Sequence, residues 1–291
     1  MIDFHTHSAF SDGTDTPERL VELGTAEGLA ALALTDHDTV AGLARFLACQ
    51  SRTPIRLVPG IELSCRFMER ELHLLGLFVD PFDGRFLERL DRLRLRRETR
   101  NRRMVQRLAE VGRSLDLDRL QAQAPGGLIT RTHFALALVE EGHARTPREA
   151  FHRFLADDAP GYVPMEPLEP GEAALWIREA GGVAVVAHPG RFAGGRFVWD
   201  QALAHLKAQG LQAIEAFYSE HAPHQERYFL DLADDLGLAV SGGSDYHGAA
   251  KPGLALGRGW GSLRVPDECL HQLEALRSAS PASMKAIEVQ A

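Results

Sequence analysis

Short runs of apolar, strand-forming residues recur along the chain and alternate with segments of helical periodicity. We predict seven strands from these runs. The predicted strands span residues 2–5, 29–35, 55–61, 72–79, 183–188, 211–217 and 238–243. Because strands that alternate with helices usually pair in parallel, the pattern favours an α/β fold with a parallel sheet. Seven such strands favour a TIM-like barrel, (β/α)7, that is one strand short of the usual eight.

Helix signals lie between most of the strands. Thr16-Pro17-Glu18 combines an N-cap residue with proline at the first helical position. Residues 172–180 form a helical pattern that ends at Gly181-Gly182. Two further helices are predicted at residues 201–209 and 223–236.

The stretch from residue 88 to residue 163 interrupts this alternation and contains no good strand candidate. We predict helices there at 85–111, 116–122, 132–140 and 147–155, with a capping box at Thr146-Pro147-Arg148-Glu149. We interpret the stretch as a helical insertion that covers the barrel mouth as a lid or substrate domain. The predicted organisation is a first barrel part (1–87), the insertion (88–163), a second barrel part (164–280) and a tail (281–291).

Composition narrows the class of protein. The 291 residues are 45% hydrophobic and carry a net charge of −8, which disfavours a broad basic surface for nucleic acid. Cys49, Cys65 and Cys269 are odd in number and form no CxxC pair, so neither a disulfide framework nor a structural zinc site is indicated. No signal peptide and no apolar run of roughly 18 residues is present. We expect a cytoplasmic protein with no membrane association and no stable protein partner.

The chemistry begins at His5 and His7, which lie two residues apart on an extended segment that begins with the first predicted strand. Their side chains therefore point to the same side and can bind one metal ion. Similar residues recur where other apolar runs end, and such carboxyl-terminal strand ends meet at the active-site face of α/β barrels. His73 is an exception because it lies early in its run. The candidate metal ligands are His5, His7, Asp12, His37, Glu62, His73, His188, Asp245 and His247.

Six imidazoles and three carboxylates are too many ligands for one ion, which takes about four to six. With a bridging carboxylate, the nine side chains can hold two or three divalent ions. The mixed nitrogen and oxygen donors suit Zn, Mn or Fe. Three carboxylates do not neutralise three divalent ions, so the site would carry a net positive charge. A positive site attracts phosphate and lowers the pKa of a bridging water.

The motifs Asp-x-His-x-His-Ser, Ser-Asp-Gly, Thr-Asp-His, Gly-x-Glu, Ala-His-Pro and Asp-x-His resemble those of the polymerase-and-histidinol-phosphatase (PHP) superfamily of amidohydrolase-like barrels. The resemblance spans residues 3 to 247 and implies a distorted seven-stranded barrel, three metal ions and phosphoester hydrolysis. Many relatives carry His at the position of Asp12, and the carboxylate here favours a harder ion such as Mn. The implied groups are His5, His7, Glu62 and Asp245 for one ion, Glu62, His73 and His188 for a second, and Asp12, His37 and His247 for the third.

Within the superfamily, the insertion and the segment Arg131-Thr132-His133-Phe134-Ala135 are similar to a bacterial subgroup. That likeness implies hydrolysis of the 3'-phosphate of nucleoside 3',5'-bisphosphates, such as adenosine 3',5'-bisphosphate to AMP and phosphate. The expected nucleophile is a metal-bridging hydroxide, and no unique general acid is identified. The alternatives are a histidinol-phosphate-type phosphomonoesterase, a 5'-3' exonuclease on short RNA, and a metal-bound regulatory module without turnover.

The insertion offers candidate contacts to the substrate. In the helix that starts near residue 85, Arg97 and Asn101 fall in the polar middle of a stripe whose ends are apolar, so we expect them to face a polar cavity. Arg131 precedes a predicted helix N-terminus, and such termini attract anions. The proposed contacts to the second phosphate or the nucleotide are Arg97, Asn101, Arg131 and His133, with Arg100 as a weaker neighbour.

Overall fold

Seven strands lie side by side in chain order in a computed structural model, which describes residues 1–122, 124, 126–192 and 195–278. Between the first and last strands, the Phe4 N–H donates to the Gly242 carbonyl at 3.0 Å and the Asp245 N–H donates to the His5 carbonyl at 2.8 Å. The sheet is therefore nearly closed, which confirms the predicted TIM-like barrel. The strands are β1 Ile2–Asp3, β2 Ala31–Leu34, β3 Arg56–Phe67, β4 Arg70–Leu77, β5 Val183–Val186, β6 Ala213–Tyr218 and β7 Ala239–Gly243.

Strand β4 runs against both of its neighbours, so the prediction of a wholly parallel sheet is wrong. Met68 and Glu69 join β3 directly to β4 in a hairpin with Phe67 opposite Arg70. Both turn residues have positive φ, 48° and 59°, as a tight two-residue hairpin requires. Methionine and glutamate are not typical of such a turn, so it leaves no recognisable signal in the sequence.

The reversal of β4 explains why His73 comes early in its strand. Its register partner is Ser64, in the carboxyl-terminal half of β3. The amino-terminal half of β4 therefore lies at the edge of the sheet where the parallel strands end. His73 thus reaches the same barrel mouth as the other candidate ligands.

Helices cover the barrel and build the insertion, and the predicted cap at Thr16 accepts a hydrogen bond from the Arg19 N–H. In the described part of the chain the helices are α1 Pro17–Ala26, α2 Leu43–Ala48, α3 Gly84–Glu110, α4 Leu117–Ala122, α5 Arg131–Glu140, α6 Pro147–Ala150, α7 Pro170–Glu179, α8 Gly195–Ala208, α9 Pro223–Leu236 and α10 Glu268–Ser278. The sequence patterns did not predict α2 and α10. None of these helices combines the length and hydrophobicity that a membrane crossing requires.

The barrel strands bury both of their faces. In β2, Ala31 and Ala33 pack into one apolar cluster, whereas Leu32 and Leu34 pack into another that includes the surrounding helices. This alternation follows from the two-residue period of a strand, and double burial explains why the strands are continuous apolar runs in the sequence.

The helical insertion, α3 to residue 163, has an apolar cluster of its own that includes Met104, Leu108 and Phe134. The first turns of α3, by contrast, pack on the barrel through Phe86 and Leu90. Helix α3 therefore runs across the predicted boundary at residue 88 and connects the two clusters. The predicted tail at 281–291 lies outside the described residues.

The predicted capping box at Thr146 forms only in part. The Thr146 hydroxyl accepts from the Glu149 N–H at 3.1 Å, but Glu149 accepts from the Arg145 N–H rather than from that of Thr146. Helix α6 then continues as a π-helical turn, Phe151–Leu155. The helix predicted at 147–155 is therefore present in two parts.

Candidate metal centre

The nine predicted ligands converge at the barrel mouth. They are delivered by β3, by β4 and by the segments that follow β1, β2, β5 and β7. Their ligand atoms fall into four overlapping groups, in each of which all atoms lie within 4.8 Å of one another. The groups are His7, Asp12, His37 and His247; His5, His7 and Asp245; His5, Glu62 and His188; and His37, Glu62 and His73.

Glu62 lies at the centre, with its two carboxylate oxygens directed to different imidazoles. Oε1 is 2.8 Å from His73 Nδ1 and 3.0 Å from His188 Nε2. Oε2 is 3.2 Å from His5 Nε2 and 3.1 Å from His7 Nε2. One carboxylate that faces two sets of donors has the geometry of a bridging ligand between two ions.

Asp12, His37 and His247 form the third cluster, which we call the Asp12 group. Asp12 Oδ1 lies 3.3 Å from His247 Nε2, and Asp12 Oδ2 lies 3.9 Å from His37 Nε2. His7 borders this group, since its Nδ1 is 3.8 Å from Asp12 Oδ1. His7 therefore lies between two groups, with Nδ1 toward Asp12 and Nε2 toward Glu62 and Asp245. The Asp12 group is thus adjacent to the group around Glu62.

The side chains fit divalent metal ions, because several of their buried polar atoms have no hydrogen-bond partner. A buried unpaired polar atom costs about 1–3 kcal/mol, and a cation bound by a cluster of such atoms would remove that cost. Outside the centre, only Arg113 Nε and Ser241 Oγ share this condition among the described residues. The unpaired atoms of the centre are His5 Nε2, His7 Nε2, Asp12 Oδ1, His37 Nδ1, Glu62 Oε2 and His73 Nε2.

Nearby carboxylates also control the protonation of the imidazoles. Burial lowers the pKa of His7, but Asp245 and Glu62 outweigh it and raise that pKa to about 9. In the same way Glu62 and Glu71 overcome burial and raise the pKa of His73 to about 10. Burial prevails at His37 and lowers its pKa to about 3. At His7 and His73, a bound cation would therefore compete with a proton for the imidazole.

Glu215 orients two of the candidate ligands from behind. Its Oε1 lies 3.0 Å from His5 Nδ1, and its Oε2 accepts from the His188 N–H at 2.6 Å. A proton on His5 Nδ1 leaves Nε2 free to bind metal, which is the usual role of a carboxylate behind a metal-binding histidine.

Asp245 is fixed by residues that the sequence analysis missed. Its Oδ2 accepts from the Tyr218 hydroxyl at 2.9 Å and from Lys251 Nζ at 2.6 Å. Its Oδ1 is directed to the other side, 3.4 Å from His7 Nε2. Tyr218 ends β6 at the barrel mouth, and this position is the sequence signal that could have identified it.

Asp36 holds the loop that carries Asp12. It accepts from the Ser8 N–H and hydroxyl, at 2.8 and 2.6 Å, and from the Ser11 hydroxyl at 2.6 Å. Burial raises its pKa to about 6 despite these bonds. Asp36 stands in the Thr-Asp-His motif, but sequence reasoning assigned no role to it.

Two of the candidate ligands adopt strained backbone conformations. His188 has φ of 29° and Asp245 has φ of 57°, values that favour glycine. Such strain is typical of functional sites, where the surrounding structure imposes the conformation.

A cavity of about 260 Å³ opens above the centre, between the barrel mouth and the insertion. Arg97, Arg100 and Arg131 line it, as do Arg66, Arg191 and Lys251. Of the predicted substrate contacts, Arg97 forms a buried ion pair with Asp38 and Arg131 pairs with Glu71.

The other two predicted contacts are buried next to the cavity and do not line it. The Asn101 amide donates to the Ile129 carbonyl at 3.0 Å, and its Oδ1 accepts from Arg100 at 2.8 Å. His133 Nδ1 accepts from the Thr130 N–H at 3.1 Å and so caps α5. The structure thus brings the arginines together at the cavity, with Asn101 and His133 behind them.

Comparisons with known proteins identify relatives that match most of the chain. The chain is 35% identical to the 3',5'-nucleoside bisphosphate phosphatase of Chromobacterium violaceum over 88% of this chain and 90% of that protein. It is 34% identical to the 5'-3' exoribonuclease Rnm of Escherichia coli over 89% of this chain and 88% of that protein. An amidohydrolase structure from Chromobacterium violaceum, with bound sulfate and no metal, superposes with a TM-score of 0.85 at 35% identity, over 94% of this chain and 96% of that one. Residues 3–157 match the PHP domain model, and the chain belongs to the PHP domain family of metal-dependent phosphoesterases.

Proposed function

We propose that the protein hydrolyses the 3'-phosphate of nucleoside 3',5'-bisphosphates, releasing a nucleoside 5'-phosphate and inorganic phosphate. The observation that carries the proposal is a buried arginine, Arg100, which lines the cavity and has no carboxylate within salt-bridge distance among the described residues. The similarity to a nucleoside bisphosphate phosphatase supports the same substrate.

Arg100 has the character of an anion-binding group. Only 9% of the residue is exposed, and its Nε and one terminal nitrogen donate to the neutral Asn101 amide oxygen at 3.2 and 2.8 Å. Burial, and then the charge of Arg131, lower its pKa to about 10. A buried guanidinium without an ion-pair partner is costly, and a bound phosphate would reduce that cost. We assign Asn101 as the residue that positions Arg100.

The two ends of the cavity then have separate roles. The metal centre holds the 3'-phosphate that is hydrolysed, and Arg100 and Arg131 hold the 5'-phosphate that is retained. We propose three divalent ions, with Mn²⁺ favoured, in the groups around His5 and Asp245, around His73 and His188, and around Asp12. When bound, such ions neutralise phosphoryl charge and lower the pKa of water to about 7. Arg100 and Arg131 fix the substrate so that its 3'-phosphorus lies over the centre.

The test compares adenosine 3',5'-bisphosphate with adenosine 3'-monophosphate, which lacks the second phosphate. The Mn²⁺-loaded wild type should have a kcat/KM at least about tenfold higher for the bisphosphate, since a charged hydrogen bond contributes about 1.5–3 kcal/mol. Arg100→Gln and Arg131→Ala should remove this preference, mainly through KM, and leave the monophosphate rate unchanged.

Arg103→Gln is the matched control, because Arg103 is exposed on the same helix. Equal use of the two substrates by the wild type would contradict the proposal. Preference for histidinol phosphate over both would support a phosphomonoesterase without a second-phosphate site.

A second candidate, 5'-3' exonuclease activity on short RNA, is favoured by a groove beside the cavity. The groove shares Arg100, Met165 and Glu166 with the cavity. It is also lined by Arg96 and Arg103, which do not reach the cavity. The groove, about 320 Å³, offers basic contacts to further nucleotides. A kcat/KM that rises from the bisphosphate to a 5'-phosphorylated trinucleotide, and falls in Arg103→Gln, would favour this activity.

A further inference from the structure

The helical insertion donates two hydrogen bonds to a candidate metal ligand. Asp12 Oδ2 accepts from the Thr132 hydroxyl at 3.0 Å and from the Thr130 hydroxyl at 3.3 Å. The Thr130 hydroxyl also lies 3.1 Å from His133 Nδ1, so Thr132 is the donor committed to Asp12. These bonds fix the rotation of a carboxylate that belongs to the barrel.

The second oxygen of Asp12 is left for a different partner. Oδ1 is buried, has no hydrogen bond and lies 3.3 Å from His247 Nε2. One oxygen is therefore held by the insertion, and the other faces the imidazoles of His247 and His7. Asp245 shows the same division, but its holding residues, Tyr218 and Lys251, come from the barrel.

A second contact joins the same two segments. Gly126, in the insertion before α5, packs directly on the backbone of Phe10, in the loop that leads to Asp12. A Cβ atom at position 126 would lie 2.3 Å from the Phe10 carbonyl oxygen. The Asp36 bonds to Ser8 and Ser11 hold this loop on the barrel side. The Asp12 loop is thus fixed between the barrel and the insertion.

We propose that Thr132, assisted by Thr130, couples metal binding at the Asp12 group to docking of the insertion on the barrel. With the insertion docked, Asp12 presents Oδ1 to the ion, and without it the carboxylate loses its two donors. Because coupling between two equilibria is reciprocal, the ion must stabilise docking by the same factor by which docking strengthens ion binding. Loss of a hydrogen bond behind a metal ligand typically weakens metal affinity about 10–100-fold. The proposal depends on metal binding by the Asp12 group and not on which phosphoester is hydrolysed.

The first experiment uses the wild-type protein, stripped of metal and titrated with Mn²⁺, without substrate. Hydrogen exchange of the α5 amides should slow as Mn²⁺ occupies the Asp12 group. Asp12→Ala identifies that occupancy, because it should lose one class of bound Mn²⁺ in equilibrium dialysis and also lose the slowing in α5. An α5 hydrogen-exchange rate that is unchanged at saturating Mn²⁺ would overturn the proposal. This measurement uses the wild-type protein, so it does not depend on the folding of a variant.

Variants then assign the coupling to the hydroxyl. Thr132→Val should weaken that class of Mn²⁺ at least about tenfold and reduce the protection of α5 by the same factor. Thr132→Ser keeps the hydroxyl and should behave as wild type. Thr99→Val is the matched control, since the exposed Thr99 hydroxyl donates only to the Leu95 carbonyl of its own helix. Gly126→Ala keeps both donors but separates the segments, and should act like Thr132→Val. Wild-type Mn²⁺ affinity in a folded Thr132→Val would also overturn the proposal.

Discussion

Glu62 Oε1 and His73 Nδ1 lie 2.8 Å apart on neighbouring antiparallel strands. Glu62 is paired with Leu75 and His73 with Ser64, so the two side chains are diagonal neighbours on one face of the sheet. This contact depends on the reversal of β4, because a parallel β4 would place residue 73 at the opposite end of the barrel. The hairpin therefore contributes directly to the metal centre.

Glu62→Gln should remove the bridge between two ion sites. An amide keeps the size of the carboxylate but loses its charge and one acceptor, so we expect at least one Mn²⁺ per chain to be lost. Elemental analysis after dialysis measures the metal content per chain. Activity should also fall by about 10³-fold, which corresponds to an activation barrier higher by several kcal/mol. Glu69→Gln, at the exposed tip of the same hairpin, is the control and should keep both metal and activity. Full metal content in Glu62→Gln would exclude a bridging role.

The effect of metal on stability should depend on pH. The folded-state pKa of His7, about 9, lies above its ordinary value of 6.5. Protonated His7 therefore stabilises the metal-free protein fully below pH 6.5, and this contribution, up to about 3 kcal/mol, is lost as pH rises through 9. Metal needs the neutral imidazole, so its stabilisation should grow over the same range.

Thermal unfolding with and without Mn²⁺, at fixed free metal, checks this dependence. The difference in Tm between the two forms should widen from pH 6.5 to 9. A constant difference across that range would show that Mn²⁺ displaces no proton from the centre.

The β3–β4 turn can be improved without touching the site. Met68 and Glu69 both adopt positive φ, which costs a residue with a side chain about 1–2 kcal/mol. The double substitution Met68→Asn and Glu69→Gly supplies residues suited to this turn and should raise the free energy of unfolding by about 1 kcal/mol. Urea denaturation measures the gain. Met68→Ala keeps the Cβ atom that makes positive φ unfavourable, so it should not raise the free energy of unfolding. An equal gain in Met68→Ala would show that the gain does not come from relief of the positive φ.

Closure of the barrel should be sensitive to a single methyl group. A Cβ atom at Gly243 would lie 2.4 Å from His5 Cβ and 2.5 Å from the His5 nitrogen. Gly243→Ala should therefore lower the free energy of unfolding by about 3 kcal/mol and displace His5 from the centre. A Cβ atom at Gly84 meets nothing within 4 Å, so Gly84→Ala is the neutral or slightly stabilising control. Similar stabilities for the two variants in urea denaturation would show that the closure is looser than the structure indicates.

The seven strands, most of the helices and the convergence of the nine candidate ligands were predictable, because they depend on local patterns. Doubly buried strands are continuous apolar runs, and ligands at strand ends meet at one edge of a barrel. The direction of β4 was not predictable in this way. It depends on Met68 and Glu69, whose turn conformation is imposed by strand pairing and not by their own preferences.

The roles of the insertion residues were harder to predict for a different reason. The helical period predicted that Arg97 and Asn101 face a polar cavity; Arg97 lines the cavity above the centre, whereas Asn101 is buried behind it. The period carries no information on which atoms each side chain contacts. Asp38 pairs with Arg97 and Ile129 accepts from Asn101, and both partners are distant in sequence. Only the packed structure therefore shows that Arg100, among the described arginines that line the cavity, has no carboxylate within salt-bridge distance.

The reversal of β4 also sets the length of α3. The chain leaves β4 at the end of the barrel remote from the mouth, and α3 must carry it back along the outside. With 27 residues, α3 is about 40 Å long. Phe86 packs on the barrel at one end, Arg100 reaches the cavity, and Leu108 enters the core of the insertion at the other. The number of residues between Phe86 and Arg100 therefore fixes which side chain of α3 faces the cavity, and gain or loss of one residue there would rotate a different side chain toward it.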